Sequence, residues 1–124
     1  MTEELKDIRT KLVNILKEHK GDLKITSDTM EKFEVTGTIE AMQGKKKVDG
    51  YYFSTVIPKP KDVRLYFFPV YTHKEQIGEL SDDLKKCLKG KSCFHVKKLD
   101  EQLENNFKAL VAKSIELYKN DGLI

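Results

Sequence analysis

The feature that most constrains the fold is the run from Asp62 to Tyr71, where large apolar and aromatic side chains follow one another. In an extended segment the side chains alternate between two faces. One set is Val63, Leu65 and Phe67, and the other is Arg64, Tyr66 and Phe68. We therefore expect a central β-strand with two largely apolar faces, covered by helix on one side and shielded from plain water on the other.

Length and charge indicate a single domain spanning residues 1–124. The chain has 124 residues, of which 39% are hydrophobic and 35% charged, as in ordinary compact domains. No apolar window of about 18 residues is present, and the N-terminus is charged, so we expect a cytoplasmic protein without membrane contact. Cys87 and Cys93 are too few for a disulfide scaffold and are expected to be free thiols.

Periodic apolar patterns predict three helices. Leu5 to Leu16 has helical spacing, and Gly21 is placed to end that helix. Ser81 is a suitable N-cap for a short helix that Gly90 closes. Asp100 caps the longest helix, which ends in a glycine cap at Gly122. The apolar stripe of this last helix comprises Leu103, Phe107, Leu110, Val111, Ser114, Ile115 and Tyr118.

Alternating patterns predict the strands that surround the central one. They cover residues 23–27, 33–41, 51–57 and 92–96, with a glycine-bounded turn at residues 44–50. Connections as short as these require antiparallel pairing. The sequence therefore predicts an α+β fold, in which N-terminal and C-terminal helices pack on an antiparallel meander of three or four strands.

Two motifs resemble catalytic or nucleotide-binding signatures. Residues 90–92 read Gly-Lys-Ser, but the earlier glycine of a phosphate-binding loop is absent and the motif leads out of a helix instead of into one. Cys93 and His95 share one strand face, as a thiolate–imidazole pair requires, although no orienting carboxylate can be named. The histidines and cysteines match no compact zinc pattern. We expect no cofactor and binding in preference to catalysis.

Several segments together resemble a known family. They are Tyr66-Phe67-Phe68-Pro69-Val70-Tyr71, Ser81 with Leu84-Lys85-Lys86, and Gly90-Lys91-Ser92-Cys93-Phe94-His95 before a tyrosine-containing last helix. In this order they are similar to the YdhG-like family of small bacterial domains of unknown function. The resemblance implies an antiparallel α+β fold. Some relatives are described as frataxin-like iron chaperones, which implies iron delivery as an alternative function.

Our leading hypothesis is a binding module for a small anionic ligand, in a cleft beside the central strand that residues 90–95 close. Lysine and serine would bind the anionic group while tyrosines pack against its apolar part. The candidate residues are Tyr66, Tyr71, Lys91, Ser92 and His95.

Nucleic-acid phosphate binding through the lysines between Lys85 and Lys98 stays open as a further alternative. The balance of 23 basic against 20 acidic residues argues against a nucleic-acid partner. We expect a monomer or a weak homodimer.

Overall fold

The computed structural model describes residues 2–124, and it has a six-stranded antiparallel sheet with helices on one face. The helices are α1 (Glu3–Lys17), α2 (Pro69–Thr72), α3 (Lys74–Ile77), α4 (Asp82–Cys87) and α5 (Glu101–Asn120). The strands are β1 (Lys24–Asp28), β2 (Phe33–Thr36), β3 (Ala41–Gln43), β4 (Lys46–Val48), β5 (Tyr52–Pro58), β6 (Val63–Phe67), β7 (Leu88–Lys89) and β8 (Cys93–Val96). The predicted α+β class with an antiparallel sheet is confirmed.

The central strand of the sheet is β6, as the sequence predicts. The strand order is β1-β2-β5-β6-β8-β7, so β6 has a neighbour on each edge. Its residue Leu65 lies between Val56 of β5 and Phe94 of β8 in register. Strands β1, β2, β5 and β6 are the predicted meander, and β8 is the predicted short strand that returns to the sheet. Strand β7 is the strand of this sheet that the sequence did not predict.

The core lies between this sheet and the two long helices. Helix α1 packs against β5, β6 and α5. Helix α5 buries every residue of its predicted stripe. Two of its aromatic rings contact rings of the sheet edge-on. The centroids are 5.1 Å apart for Tyr118 and Phe53, and 5.3 Å apart for Phe107 and Phe94. Each large side chain buried in this way stabilises the fold by about 1.5–3 kcal/mol.

The opposite face of the sheet mixes polar with apolar side chains, so the expectation that both faces of β6 are largely apolar is not met. Arg64 and Tyr66 point away from the buried side chains of β6 and are half-exposed. Their neighbours in register are Ile57 and Thr55 on β5 and His95 and Cys93 on β8. Phe68 follows the end of β6, and its ring packs on the ring of Tyr52 with centroids 5.5 Å apart. We call this surface the open face.

Strand β2 ends at Thr36, although the alternating pattern continues to Ala41. The backbone of Leu123 comes so close to Gly37 that a Cβ atom there would lie 2.3 Å from the Leu123 carbonyl oxygen. The amides of Thr38 and Ile39 donate to the same oxygen at 3.2 and 3.4 Å. The C-terminal segment therefore takes the place of a continuing strand, and residues after it form the separate β3–β4 hairpin.

Helix ends follow the predicted capping residues at most positions. The predicted caps Ser81 and Asp100 accept hydrogen bonds from backbone amides at the starts of α4 and α5, and Thr2 does the same at the start of α1. After α5, the amides of Gly122 and Leu123 donate back into the last turn, as predicted. Helix α4 ends earlier than expected, and α1 ends at Lys17 before further turns lead to Gly21. No helix in residues 2–124 is both long and apolar enough to cross a bilayer.

Candidate functional site

A cavity of about 520 Å³ lies next to the C-terminal end of β6, where α2 and α3 meet α4 and the β7–β8 turn. Its apolar lining includes Val70, Ile77, Leu80 and Leu88. Tyr71 forms one wall, and its side chain is 51% exposed. Cavities of this size and apolar character are usual for small-molecule sites. We call it the Tyr71 cavity.

The local sequence fixes the wall that α2 and α3 form. Pro69 occupies the first turn of α2, where its missing amide hydrogen costs nothing. His73, between the two helices, is buried; its Nε2 lies 2.5 Å from Asp121 Oδ2, and its Nδ1 lies 2.8 Å from Thr72 Oγ1. The His73 ring also packs on Tyr118, with centroids 5.3 Å apart. The wall is therefore attached to the end of α5.

The cavity carries three lysines and one acidic residue, which gives it a positive balance. Lys85 is paired with Glu79. This hydrogen bond lowers the pKa of Glu79 and raises the pKa of Lys85, so both stay charged at neutral pH. Lys74 and Lys91 form no ion pair with any residue in the range 2–124. Two lysines are thus available to an added anion.

Lys91 lies over the ring of Tyr71, with Nζ 5.4 Å from the ring centroid. A cation in this position is attracted to the negative face of the ring. Gly90 has a φ of +67°, which only glycine adopts easily, and this turn between β7 and β8 brings Lys91 to the wall. An anion at Lys91 would therefore sit beside an aromatic surface and above an apolar floor.

The structure divides the five predicted site residues between two places. Tyr71 and Lys91 lie together on the cavity wall. Ser92 follows Lys91 but does not line the cavity, and its carbonyl oxygen accepts a hydrogen bond from the Phe67 amide at 2.7 Å. Tyr66 and His95 lie on the open face, because their strand parity is opposite to that of the core residues.

A second cluster of polar groups, on the open face, surrounds Asp62. This carboxylate is only 5% exposed. Arg64 Nε donates to its Oδ1 at 3.3 Å, and His95 Nδ1 lies 3.6 Å from its Oδ2. Asp62 is the carboxylate near His95 that sequence reasoning did not identify. Its position directly before the central strand is a weak signal that could have indicated it.

The thiols lack the properties of a catalytic nucleophile. Burial raises the pKa of the Cys93 thiol, and the nearby Arg64 cation offsets this only in part. Burial also raises the pKa of Cys87. A reactive cysteine needs a lowered pKa, so these raised pKa values argue against a nucleophilic role for either thiol.

Sequence reasoning missed Lys74, Ile77, Lys85 and Leu88 as cavity residues. They come from three different elements, and only the folded chain brings these elements together. The available signal was the apolar pair Leu80 and Leu88 on either side of the short capped helix.

A second hollow and a metal site were the other candidates, and in the described part of the chain neither has the features of a ligand-binding site. A shallow hollow of about 560 Å³ is lined by Thr2, Pro58, Lys59 and Pro60, without an aromatic side chain. Within residues 2–124, no three His, Cys, Asp or Glu side chains are grouped so that they could hold a metal ion.

Fold and cavity together define a small antiparallel α+β domain with a basic, aromatic-walled cavity at one end of its sheet. Comparisons with protein-family models, with curated proteins and with solved structures find no match to the chain.

Proposed function

We propose that this chain is a binding module for a small anionic ligand with an apolar body, held in the Tyr71 cavity. The observation that carries the proposal is the position of Lys91 over the Tyr71 ring, at the wall of an apolar cavity with two more lysines. The anionic group would pair with Lys91 and Lys74. The apolar body would cover Tyr71 and the floor of the cavity.

The charges of the cavity support an anion over a cation. Glu79 is the one acidic residue of the lining, and it is already paired with Lys85. A cationic ligand would meet two uncompensated lysines, whereas an anion would neutralise them. Covering exposed apolar surface adds about 25 cal/mol for each Å² removed from water.

Membership of the YdhG-like family remains part of this proposal, supported by the motifs of residues 66–71 and 90–95 and by the antiparallel α+β fold. The frataxin-like iron role would use grouped carboxylate oxygens. No observation in residues 2–124 favours it, since their acidic side chains form no such group.

Thermal denaturation with added ligands tests the proposal. We expect at least one member of a panel of aromatic and aliphatic carboxylates and phosphate esters to raise the melting temperature of the wild-type protein. At a concentration 100-fold above Kd, a ligand that binds only the folded state adds about 2.7 kcal/mol to the free energy of unfolding. Lys91→Ala should lose most of this shift.

Lys46→Ala is the matched control, because Lys46 is an exposed lysine on the β3–β4 hairpin, outside the cavity lining. It should keep the wild-type shift. A panel without any stabilising member, or a shift that Lys91→Ala retains in full, would refute the proposed site.

A further inference from the structure

The lysines between Lys85 and Lys98 do not form one patch. Strand β8 separates them: Lys85 to Lys91 come before it, near the Tyr71 cavity, and Lys97 and Lys98 come after it, at the other end of the sheet. This second group has no part in the cavity.

Lys97 and Lys98 lie beside two further lysines. Val96 of β8 pairs with Val63 of β6, so the residues after Val96 lie next to the turn before Val63. This turn contains Lys59 and Lys61 and is closed by a 2.8 Å hydrogen bond from the Lys59 amide to the Asp62 carbonyl. Neighbouring strands are about 4.8 Å apart, so these side chains share one end of the sheet. We call Lys59, Lys61, Lys97 and Lys98 the basic end.

The basic end keeps its positive charge. Within residues 2–124 its four lysines form no ion pair. The adjacent acid Asp62 is buried and already hydrogen-bonded to Arg64. Asp100 is committed to the start of α5, where it accepts from the Leu103 amide at 2.8 Å. Glu101, the residue after Asp100, is exposed and forms no ion pair within residues 2–124, so a polyanion would meet four lysines beside one free carboxylate.

The open face continues from the basic end with groups that suit a nucleic-acid strand. Arg64 and His95 are opposite each other in the first row of β6 and β8. The next row carries Tyr66, a half-exposed aromatic ring between Thr55 and Cys93. Cationic side chains that follow a phosphate backbone, together with an aromatic side chain on which a base stacks, are the usual elements of single-strand binding.

We propose that the basic end and the adjoining open face bind a single-stranded nucleic acid. Its phosphates contact Lys59, Lys61, Lys97 and Lys98, and a base stacks on Tyr66. The charge of the whole chain is nearly balanced, but the fold collects cations at this end. This surface is separate from the Tyr71 cavity and does not depend on the ligand proposed there.

An anionic membrane fits this surface less well. Membrane-binding surfaces place exposed apolar side chains beside their cations. The large exposed apolar side chains of this chain are elsewhere, at Ile25, Met30, Ile39, Met42 and Tyr71. None of them belongs to the basic end or to the open-face rows described above.

Fluorescence anisotropy with an end-labelled oligothymidylate of about 20 nucleotides, longer than one single-strand site, tests the proposal. We expect saturable binding at low salt, with a log–log salt slope of about −3 for four phosphate contacts. Lys97→Glu combined with Lys98→Glu should weaken binding at least tenfold and make the slope shallower. The matched control is Lys45→Glu with Lys46→Glu, which changes the net charge equally on the β3–β4 hairpin; it should change binding less than threefold.

Tyr66 provides an independent measurement. Tyr66→Phe keeps the ring and should keep the affinity, whereas Tyr66→Leu should weaken binding several-fold without changing the salt slope. Melting temperatures establish that each variant folds, and if Tyr66→Leu does not, the lysine pairs decide. The proposal is overturned if the oligonucleotide does not bind at low salt, if both lysine pairs weaken binding equally, or if only vesicles of phosphatidylserine bind.

Discussion

At the scale of single residues, Arg9 is a charged side chain that is buried and has a structural role. Its position on α1 lies outside the apolar stripe, so the sequence predicts an exposed side chain. In the structure Arg9 is buried, and it donates to the carbonyl oxygens of Thr29 at 2.7 Å and Met30 at 3.1 Å. It therefore fixes the β1–β2 turn against the helix. The guanidinium group suits this task, because its donors have a rigid planar arrangement.

We expect Arg9→Met to destabilise the protein by about 2 kcal/mol, because two hydrogen bonds from a charged donor are lost while the apolar stem is kept. The stability of Arg9→Lys should lie between that of the wild type and that of Arg9→Met, since one ammonium group cannot reproduce the planar donor geometry. Chemical denaturation measures the free energy of unfolding. Lys6→Met on the exposed side of α1 is the control and should stay within about 0.5 kcal/mol of wild type. An Arg9→Met variant as stable as this control would contradict the interpretation.

At the scale of elements, the sequence predicts what a single periodicity determines. The stripes of α1 and α5 were predicted correctly because a helix buries one face regardless of its partner. The end of β2 was predicted wrongly because its cause, the approach of Leu123 to Gly37, joins residues that are far apart in sequence. Strand β7 was missed for a similar reason, since Leu88 and Lys89 become a strand only by pairing with β8.

The cavity, too, combines features that the local sequence predicts with features that only distant contacts determine. Tyr71 and Lys91 could be predicted as neighbours because their segments have turn and strand signals next to the central strand. Tyr66 and His95 were grouped with them wrongly, because sequence parity does not tell which face of a sheet the helices cover. Asp62 and His73 could not be assigned partners, since those partners, His95 and Asp121, are set by the fold.

The β7–β8 turn offers a test of one element. Gly90 has a φ of +67°, so Gly90→Ala should strain the turn and cost about 1 kcal/mol of unfolding free energy. The same substitution should also weaken any ligand of the Tyr71 cavity, because the turn places Lys91. Gly21→Ala is the matched control: Gly21 does not have a positive φ and has open space around its Cβ position. Equal stability of the two variants would show that Gly90 does not set the turn.

At the scale of the whole molecule, the end of α5 joins distant parts of the chain. The Tyr118 hydroxyl donates to the carbonyl oxygen of Tyr52 at 2.5 Å, Asp121 pairs with His73, and Leu123 accepts from the segment after β2. The C-terminal residues thus hold the sheet, the cavity wall and the β2 end together. Loss of these contacts would release all three at once.

Because of this arrangement, the free energy of unfolding decreases at alkaline pH. Burial raises the pKa of Tyr118 above its usual value of 10 and raises that of Tyr52 to about 12, so both phenols stay neutral in the folded state after they ionise in the unfolded chain. Their stabilising contribution is complete below pH 10 and is lost as the pH rises through the folded-state pKa values. Above pH 10, each such tyrosine lowers the free energy of unfolding by about 1.4 kcal/mol per pH unit.

Tyr118→Phe separates this effect from the ionisation of lysines, which both proteins share. Near neutral pH the variant should be less stable by about 1 kcal/mol, because the hydrogen bond to Tyr52 is lost. Above pH 10 its stability should fall less steeply than that of the wild type, so that the two stability curves cross at about pH 11. Val111→Ala, destabilised in the core without a phenol, should keep the wild-type slope. Parallel curves for wild type and Tyr118→Phe from pH 9 to 12 would contradict a buried, neutral Tyr118, since only a phenol that ionises equally in both states leaves the slope unchanged.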